Sequence, residues 1–144
     1  MKKLILLLLF IPLVSFGQDD EKKNNSHNEA SSQNIEVMPL FSDCKNVIKS
    51  KQRKCFQIKM NQHISKHFFY PKYAQKAGLQ GKVYVSFIIE KDGTIGEIKA
   101  RGTHRILENA AIKIIKKLPK FIPGTINGEP ASVPFSIPIT WRLR

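Results

Sequence analysis

Cys44, Cys55, His63 and His67 are the residues of this chain that could do chemistry as a set. His63 and His67 are four residues apart and can share one helix face. With the two cysteines they could offer sulfur and imidazole to zinc. The spacing argues otherwise. The cysteines stand far wider apart than the C-x(2–4)-C of a zinc finger, and no Glu follows His63 as in H-E-x-x-H. In an oxidising compartment an isolated cysteine pair forms a disulfide. Its short loop is worth about 3 kcal/mol in the loop-entropy model. Cys44 and Cys55 are therefore read as a disulfide, His63 and His67 as exposed helical residues, and no metal is expected.

The carboxylates do not assemble into an acid–base pair. Glu90, Asp92, Glu97 and Glu108 are scattered over a turn, a strand and a helix. Asp92 suits its turn, and Glu108 suits the first turn of a helix, where the dipole favours an anion. No serine lies in a G-x-S-x-G elbow, and no glycine-rich phosphate loop is present. The sequence thus offers no catalytic residue and implies no cofactor. The 144 residues carry a formal charge of +13. Such a charge could attract nucleic acid, an anionic membrane or an acidic partner, or simply be solvated lysine. Nucleic acid is the weakest of these readings, because the chain has no reader motif and no aromatic stacking strip.

What remains is backbone chemistry. The chain ends SVPFSIPITWRLR, and Val133, Phe135, Ile137, Ile139 and Trp141 alternate with polar residues or proline. That is the period of a half-buried strand. Pro134 and Pro138 lie inside it, and proline has no N–H for a ladder. Alternate residues of a strand direct their N–H and C=O groups to opposite sides. Pro134, Ser136, Pro138 and Thr140 all face one way, so both missing donors fall on one side. That side is expected to be an unpaired edge. The prolines could be purely protective against aggregation. They also leave an edge on which Ser136 and Thr140 still donate and every carbonyl accepts, so an added peptide strand could pair there. The candidate edge is Ser132, Pro134, Ser136, Pro138, Thr140 and Arg142. The same edge could pair two copies of the chain.

The elements that position this strand follow from periodicity. Phe56, Met60, Ile64, His67 and Phe68 recur at helical spacing, predicting a helix near 56–68. Pro71 ends it and opens a short second helix, PKYAQKAG, with Gly78 as its left-handed cap. Val83, Val85, Phe87 and Ile89 alternate in a first strand, Lys91-Asp92-Gly93 is a hairpin turn, and Thr94–Arg101 returns. Leu107, Ala111, Ile114, Ile115 and Leu118 form the stripe of a helix near 104–118, stopped by Pro119. Pro123-Gly124 and Asn127-Gly128 are turns. The expected architecture is α+β: a small antiparallel three-stranded sheet with helices packed on one face. A right-handed return through the helix leaves the last strand beside the first, giving the order 2-1-3.

The N-terminal region reads differently. Met1–Gly17 has two lysines, a mostly apolar run from Leu4 to Phe16 and a small-x-small pair, Ser15 and Gly17. This is the pattern of a secretory signal peptide cleaved after Gly17. An uncleaved inner-membrane anchor is the alternative, disfavoured because a spanning helix needs about 20 apolar residues. Cleavage would remove Lys2 and Lys3 and no acid, lowering the formal charge from +13 to +11. Residues 18–38 read as a polar disordered linker, 39–57 as a cysteine-bearing lead-in, and 58–144 as the folded domain.

The motifs of that domain carry a resemblance. Tyr70-Pro71 with Ala74, Gly81-Lys82-Val83 leading to Asp92-Gly93, Leu107-Glu108 with Ala111, Leu118-Pro119, Pro123-Gly124, Asn127-Gly128 and the closing Pro138-Ile139 strand are similar to the C-terminal domain of the TonB energy-transducer family. The match covers about 58–144. FSDCKN with Cys55-Phe56 also resembles the lead-in of Bacteroidetes-type members, and Phe121 stands where many members carry Trp. The resemblance implies a periplasmic domain that pairs its last strand, here residues 132–142, with the TonB box of outer-membrane TonB-dependent receptors. In an anchored member the partners would include inner-membrane motor proteins. About twenty linker residues reach only about 70 Å when extended. A second reading is therefore a free-standing periplasmic interaction or scaffold domain without force transmission.

Overall fold

The computed structural model describes residues 35–144, so the signal-peptide reading and most of the linker lie outside the described residues. In chain order the elements are a 3-10 turn (Ser42–Cys44), α1 (Lys49–His67), α2 (Lys72–Lys76), β1 (Gly81–Ile89), β2 (Ile95–Arg101), α3 (Arg105–Lys116), β3 (Gly124–Ile126), β4 (Glu129–Ala131) and β5 (Val133–Trp141). The order of the main sheet is β2-β1-β5, with β1 antiparallel to both neighbours. This is the α+β arrangement expected from the sequence, with the last strand beside the first.

One face of the sheet is covered. Val83, Val85, Phe87 and Ile89 of β1 are buried, whereas Lys82, Tyr84 and Ser86 face solvent. The stripe of α3 (Leu107, Ala110, Ala111, Ile114 and Ile115) is buried against the sheet. Full burial of the three large side chains, Leu107, Ile114 and Ile115, contributes roughly 1.5–3 kcal/mol each. Glu108, in the first turn of α3, accepts the Gly102 N–H at 2.9 Å, a charge-assisted bond at the positive end of the helix.

α1 begins seven residues before the start read from the sequence. Residues 49–54, KSKQRK, have no apolar stripe to announce a helix. Lysine, glutamine and arginine are nevertheless good helix formers, and the segment is tied down next door. Cys44 and Cys55 are joined in a disulfide, with their Cα atoms 6.0 Å apart. With both sulfurs in the bridge, the four-ligand zinc alternative loses its thiolates. His63 and His67 are half-buried rather than exposed. The His63 Nε2–H donates to the Ile114 carbonyl at 2.9 Å, linking α1 to α3, and the two imidazoles lie 4.4 Å apart. Sequence periodicity had no means of seeing this contact between two helices.

The lead-in also joins the fold. Leu40 and Ile122 exchange N–H···O bonds of 3.0 and 2.8 Å, and the Thr125 N–H donates to Val37 at 2.9 Å. Glu36 and Val37, at the end of the segment read as linker, also donate their N–H groups to the Thr125 carbonyl at 3.1 and 3.3 Å. Asn127 and Gly128, both at positive φ, turn β3 into β4, so the expected turn carries a short strand pair of its own.

The β1–β2 hairpin is fixed at its tip. Gly93 has φ +85, and its carbonyl accepts the Phe121 N–H at 2.9 Å. A Cβ at Gly93 would collide with the Phe121 carbonyl oxygen. The hairpin tip therefore holds the segment that leaves α3. Gly93→Ala combines a left-handed backbone with that collision, and it is expected to lower unfolding free energy by about 1–3 kcal/mol in urea titration. A change below a few tenths would contradict the contact.

The His67 imidazole is held below its ordinary pKa by partial desolvation, then by the positive charge of His63, Lys117 and Lys66. The unfolded chain therefore binds the proton more tightly. Stability attributable to His67 is present above the ordinary imidazole pKa and falls as pH drops toward the lowered folded value. The His67 ring resonances should titrate with a midpoint below that of a free imidazole. A midpoint at or above it would contradict this environment.

Candidate functional site at an open strand edge

β5 has one sheet neighbour among the described residues. Its register against β1 places Trp141 opposite Gly81, Ile139 opposite Val83, Ile137 opposite Val85 and Phe135 opposite Phe87. Between these pairs, Pro138 faces Tyr84, Ser136 faces Ser86 and Pro134 faces Ile88. In an antiparallel ladder, facing residues alternate between pairs that exchange N–H···O bonds and pairs that do not. A proline cannot donate, so the proline positions take the non-bonded slots without loss. Phe135, Ile137, Ile139 and Trp141 then direct their amides to β1. Ser136 and Thr140 direct theirs away, to the free side.

The side chains follow the same parity. Pro134, Ser136, Pro138 and Thr140 are exposed, Val133, Ile139 and Trp141 are buried, and Phe135 and Ile137 are half-buried. Two expected edge residues fall outside the strand. Ser132 precedes β5, and its hydroxyl donates to Glu90 Oε2 at 3.0 Å. Arg142 follows β5 and is exposed. Within β5 itself the outward positions are Pro134, Ser136, Pro138 and Thr140.

Phe135 and Ile137 are half-buried because of what lies beside the edge. An open groove of about 630 Å³ runs along β5, walled by Val37, Met38 and Pro39 on one side and by Lys49, Gln52, Arg53 and Phe56 of α1 on the other. Val133, Pro134, Phe135 and Ile137 of β5 complete it. Its floor is aromatic: Phe56 stacks on Phe135 at 5.1 Å, and Phe135 stacks on Phe87 at 5.8 Å. Phe41 and Phe121 continue the cluster, with centroids 4.6 Å apart. Phe121 thus fills the aromatic position read from the sequence.

A strand added alongside β5 would lie over this groove. Its alternate side chains would enter an apolar slot with Lys49 and Arg53 on the rim. Sequence reasoning found the strand but missed the groove, because β5 lies far along the chain from the lead-in and α1 that wall it. The one available signal was Phe56 at helical spacing, which points inward but not at what.

Other candidates are structural. Asp92 Oδ1 accepts the Thr94 hydroxyl at 2.6 Å and the Thr94 N–H at 3.0 Å. These two hydrogen bonds hold its carboxyl below the usual carboxylate range, so Asp92 shapes its turn.

The family model described as "Gram-negative bacterial TonB protein C-terminal" matches residues 66–143. Two curated relatives, the TonB proteins of Helicobacter pylori strains J99 and 26695, are each 36% identical over 91 residues. The match covers 62% of this chain, and the chain spans about a third of each relative, 31% and 30%. The solution structure of the Helicobacter pylori TonB C-terminal domain, residues 179–285, superposes with a TM-score of 0.51 at 34% identity, covering 62% of this chain and 81% of that one.

The edge geometry is testable without any ligand. In hydrogen exchange, the Ser136 and Thr140 amides should exchange fast, while those of Ile137 and Ile139 between them are protected. The reverse alternation would place the prolines on the β1 side and refute the assignment.

Proposed function

The chain belongs to the family of Gram-negative bacterial TonB C-terminal domains, and from that premise we propose that it binds extended peptides at the free edge of β5. The partner we propose is the TonB-box segment of an outer-membrane TonB-dependent receptor, met in the periplasm as part of energy-coupled transport. The observation that carries this reading is the coincidence of two features on one side of β5: a backbone edge with intact acceptors and two outward donors, and an apolar groove directly beneath it.

Strand addition divides the work between backbone and side chains. Main-chain hydrogen bonds supply affinity, and pockets for alternate side chains supply selectivity. Here the groove would select apolar residues at every second position of the guest. Lys49 and Arg53 favour a carboxylate on the α1 side of the rim, while Glu36 disfavours one on the lead-in side. The prolines restrict pairing to a guest whose carbonyls meet Ser136 and Thr140 and that asks nothing of residues 134 and 138. That restriction also disfavours indiscriminate strand-on-strand association.

Ser136→Pro removes one of the two outward donors and leaves the inward ladder intact. Receptor-derived peptide affinity should fall about tenfold or more, as for a hydrogen bond whose buried partner is left unpaired. Stability should change by no more than about 0.5 kcal/mol, since no contact to β1 is lost. Calorimetric titration beside thermal melting measures both. Unchanged affinity for a peptide that does bind would remove the edge from the reading.

A further inference from the structure

We propose that the end of the sheet where β1 begins and β5 finishes, away from the groove, is a docking face for an anionic lipid bilayer. The segment between α1 and β1 wraps this end and is firmly held. The Phe68 ring packs on Trp141 at 5.4 Å, and the Trp141 Nε1–H donates to the Phe69 carbonyl at 2.9 Å. The Tyr70 hydroxyl donates to the Leu79 carbonyl, and the Leu143 N–H donates to Gln80 Oε1 at 3.1 Å.

On this fixed frame three aromatic rings remain in water. Phe68 is 39% exposed, Phe69 37% and Tyr73 70%. Nothing in the fold needs Tyr73 there. Two neighbouring exposed rings on an anchored segment are apolar surface that the core has not used.

Cations accompany the rings along the same segment and at the same end of the sheet. Lys66, Lys72, Lys76, Lys82 and Arg142 are all exposed. Lys82 sits opposite Thr140 in the β1–β5 register, at the same end as Arg142, with its Nζ 6.0 Å from the Tyr84 ring centroid on the open face of the sheet. No Asp or Glu occurs between Asp43 and Glu90. The described residues contain one salt bridge, Lys59 to Asp43 at 3.0 Å, so none of these five cations is neutralised. Glu108, at the start of α3, has an oxygen engaged with the Gly102 N–H.

Aromatic rings on a segment that also carries exposed Lys66, Lys72 and Lys76 suit the bilayer interface. Rings settle at headgroup depth, and long lysine stems keep their ammonium groups at the phosphates. Binding then scales with apolar area inserted plus attraction to anionic lipid. A soluble polyanion without aromatic bases would use the cations but gain little from three exposed rings.

The test is co-sedimentation of the protein with phosphatidylcholine vesicles made with and without phosphatidylglycerol. Binding to the anionic vesicles is expected, with little to the zwitterionic ones. Lys72→Glu/Lys76→Glu should weaken it about tenfold or more. Lys51→Glu/Lys54→Glu, on the solvent side of α1, makes the same charge change and should have a much smaller effect. Tyr73→Ser alters no charge and no buried contact, and should still weaken binding several-fold. Failure to bind anionic vesicles overturns the proposal. So do equal losses in the two lysine pairs, or an unchanged Tyr73→Ser, since either reduces the effect to net charge. Single-strand DNA binding with the same dependence on Tyr73 would assign the face to nucleic acid instead.

Discussion

Two absent N–H groups constrain this domain more than any contact in it. Pro134 and Pro138 can occupy β5 only if both face away from its neighbour, and the register with β1 places them so. β5 is then an outer strand by necessity, and β1 must be the centre of the sheet. The prolines cost the inward ladder nothing, because they take positions that an antiparallel pair leaves unbonded. They thin the outer side without closing it. A strand edge made wholly of ordinary residues would pair with almost any extended chain. One blocked at every position would pair with none.

The edge is useful only if its surroundings hold still. The Cys44–Cys55 bridge fastens the lead-in to α1, and the bonds of Val37 and Leu40 to Thr125 and Ile122 fasten it to the segment before β5. Phe41, Phe56, Phe121 and Phe135 pack where these segments meet, with centroids 4.6–5.9 Å apart. The walls of the groove are thus tied to one another covalently, by backbone bonds and by ring packing. An extended guest would lose its own freedom on binding, while the protein side is already ordered.

Much of this was legible in residue order. The alternation of β1, the Asp92-Gly93 turn, the stripe of α3 and the proline parity of β5 are all local patterns, and local patterns survive in a linear string. The groove was not legible, since Val37, Arg53 and Phe135 are brought together only by the fold. The early start of α1 was hidden because KSKQRK helps a helix by propensity and tethering rather than by an apolar face. His63 was read as exposed because its partner, the Ile114 carbonyl, is a backbone atom with no sequence signature. Parity alone puts Ser132 on the edge, whereas its bond to Glu90 comes from the residue that follows β1, one step beyond the Ile89–Val133 pair.

The most direct test of the central claim is an amide NMR titration of the protein with extended peptides from the N-termini of outer-membrane receptors. The account predicts saturable shifts concentrated at residues 133–141 and at the groove-facing amides near Phe56, persisting at raised salt because backbone pairing and apolar burial carry the affinity. Shifts absent from β5, or confined to the lysine-rich surface and abolished by salt, would contradict it. The prolines would then guard the edge rather than present it.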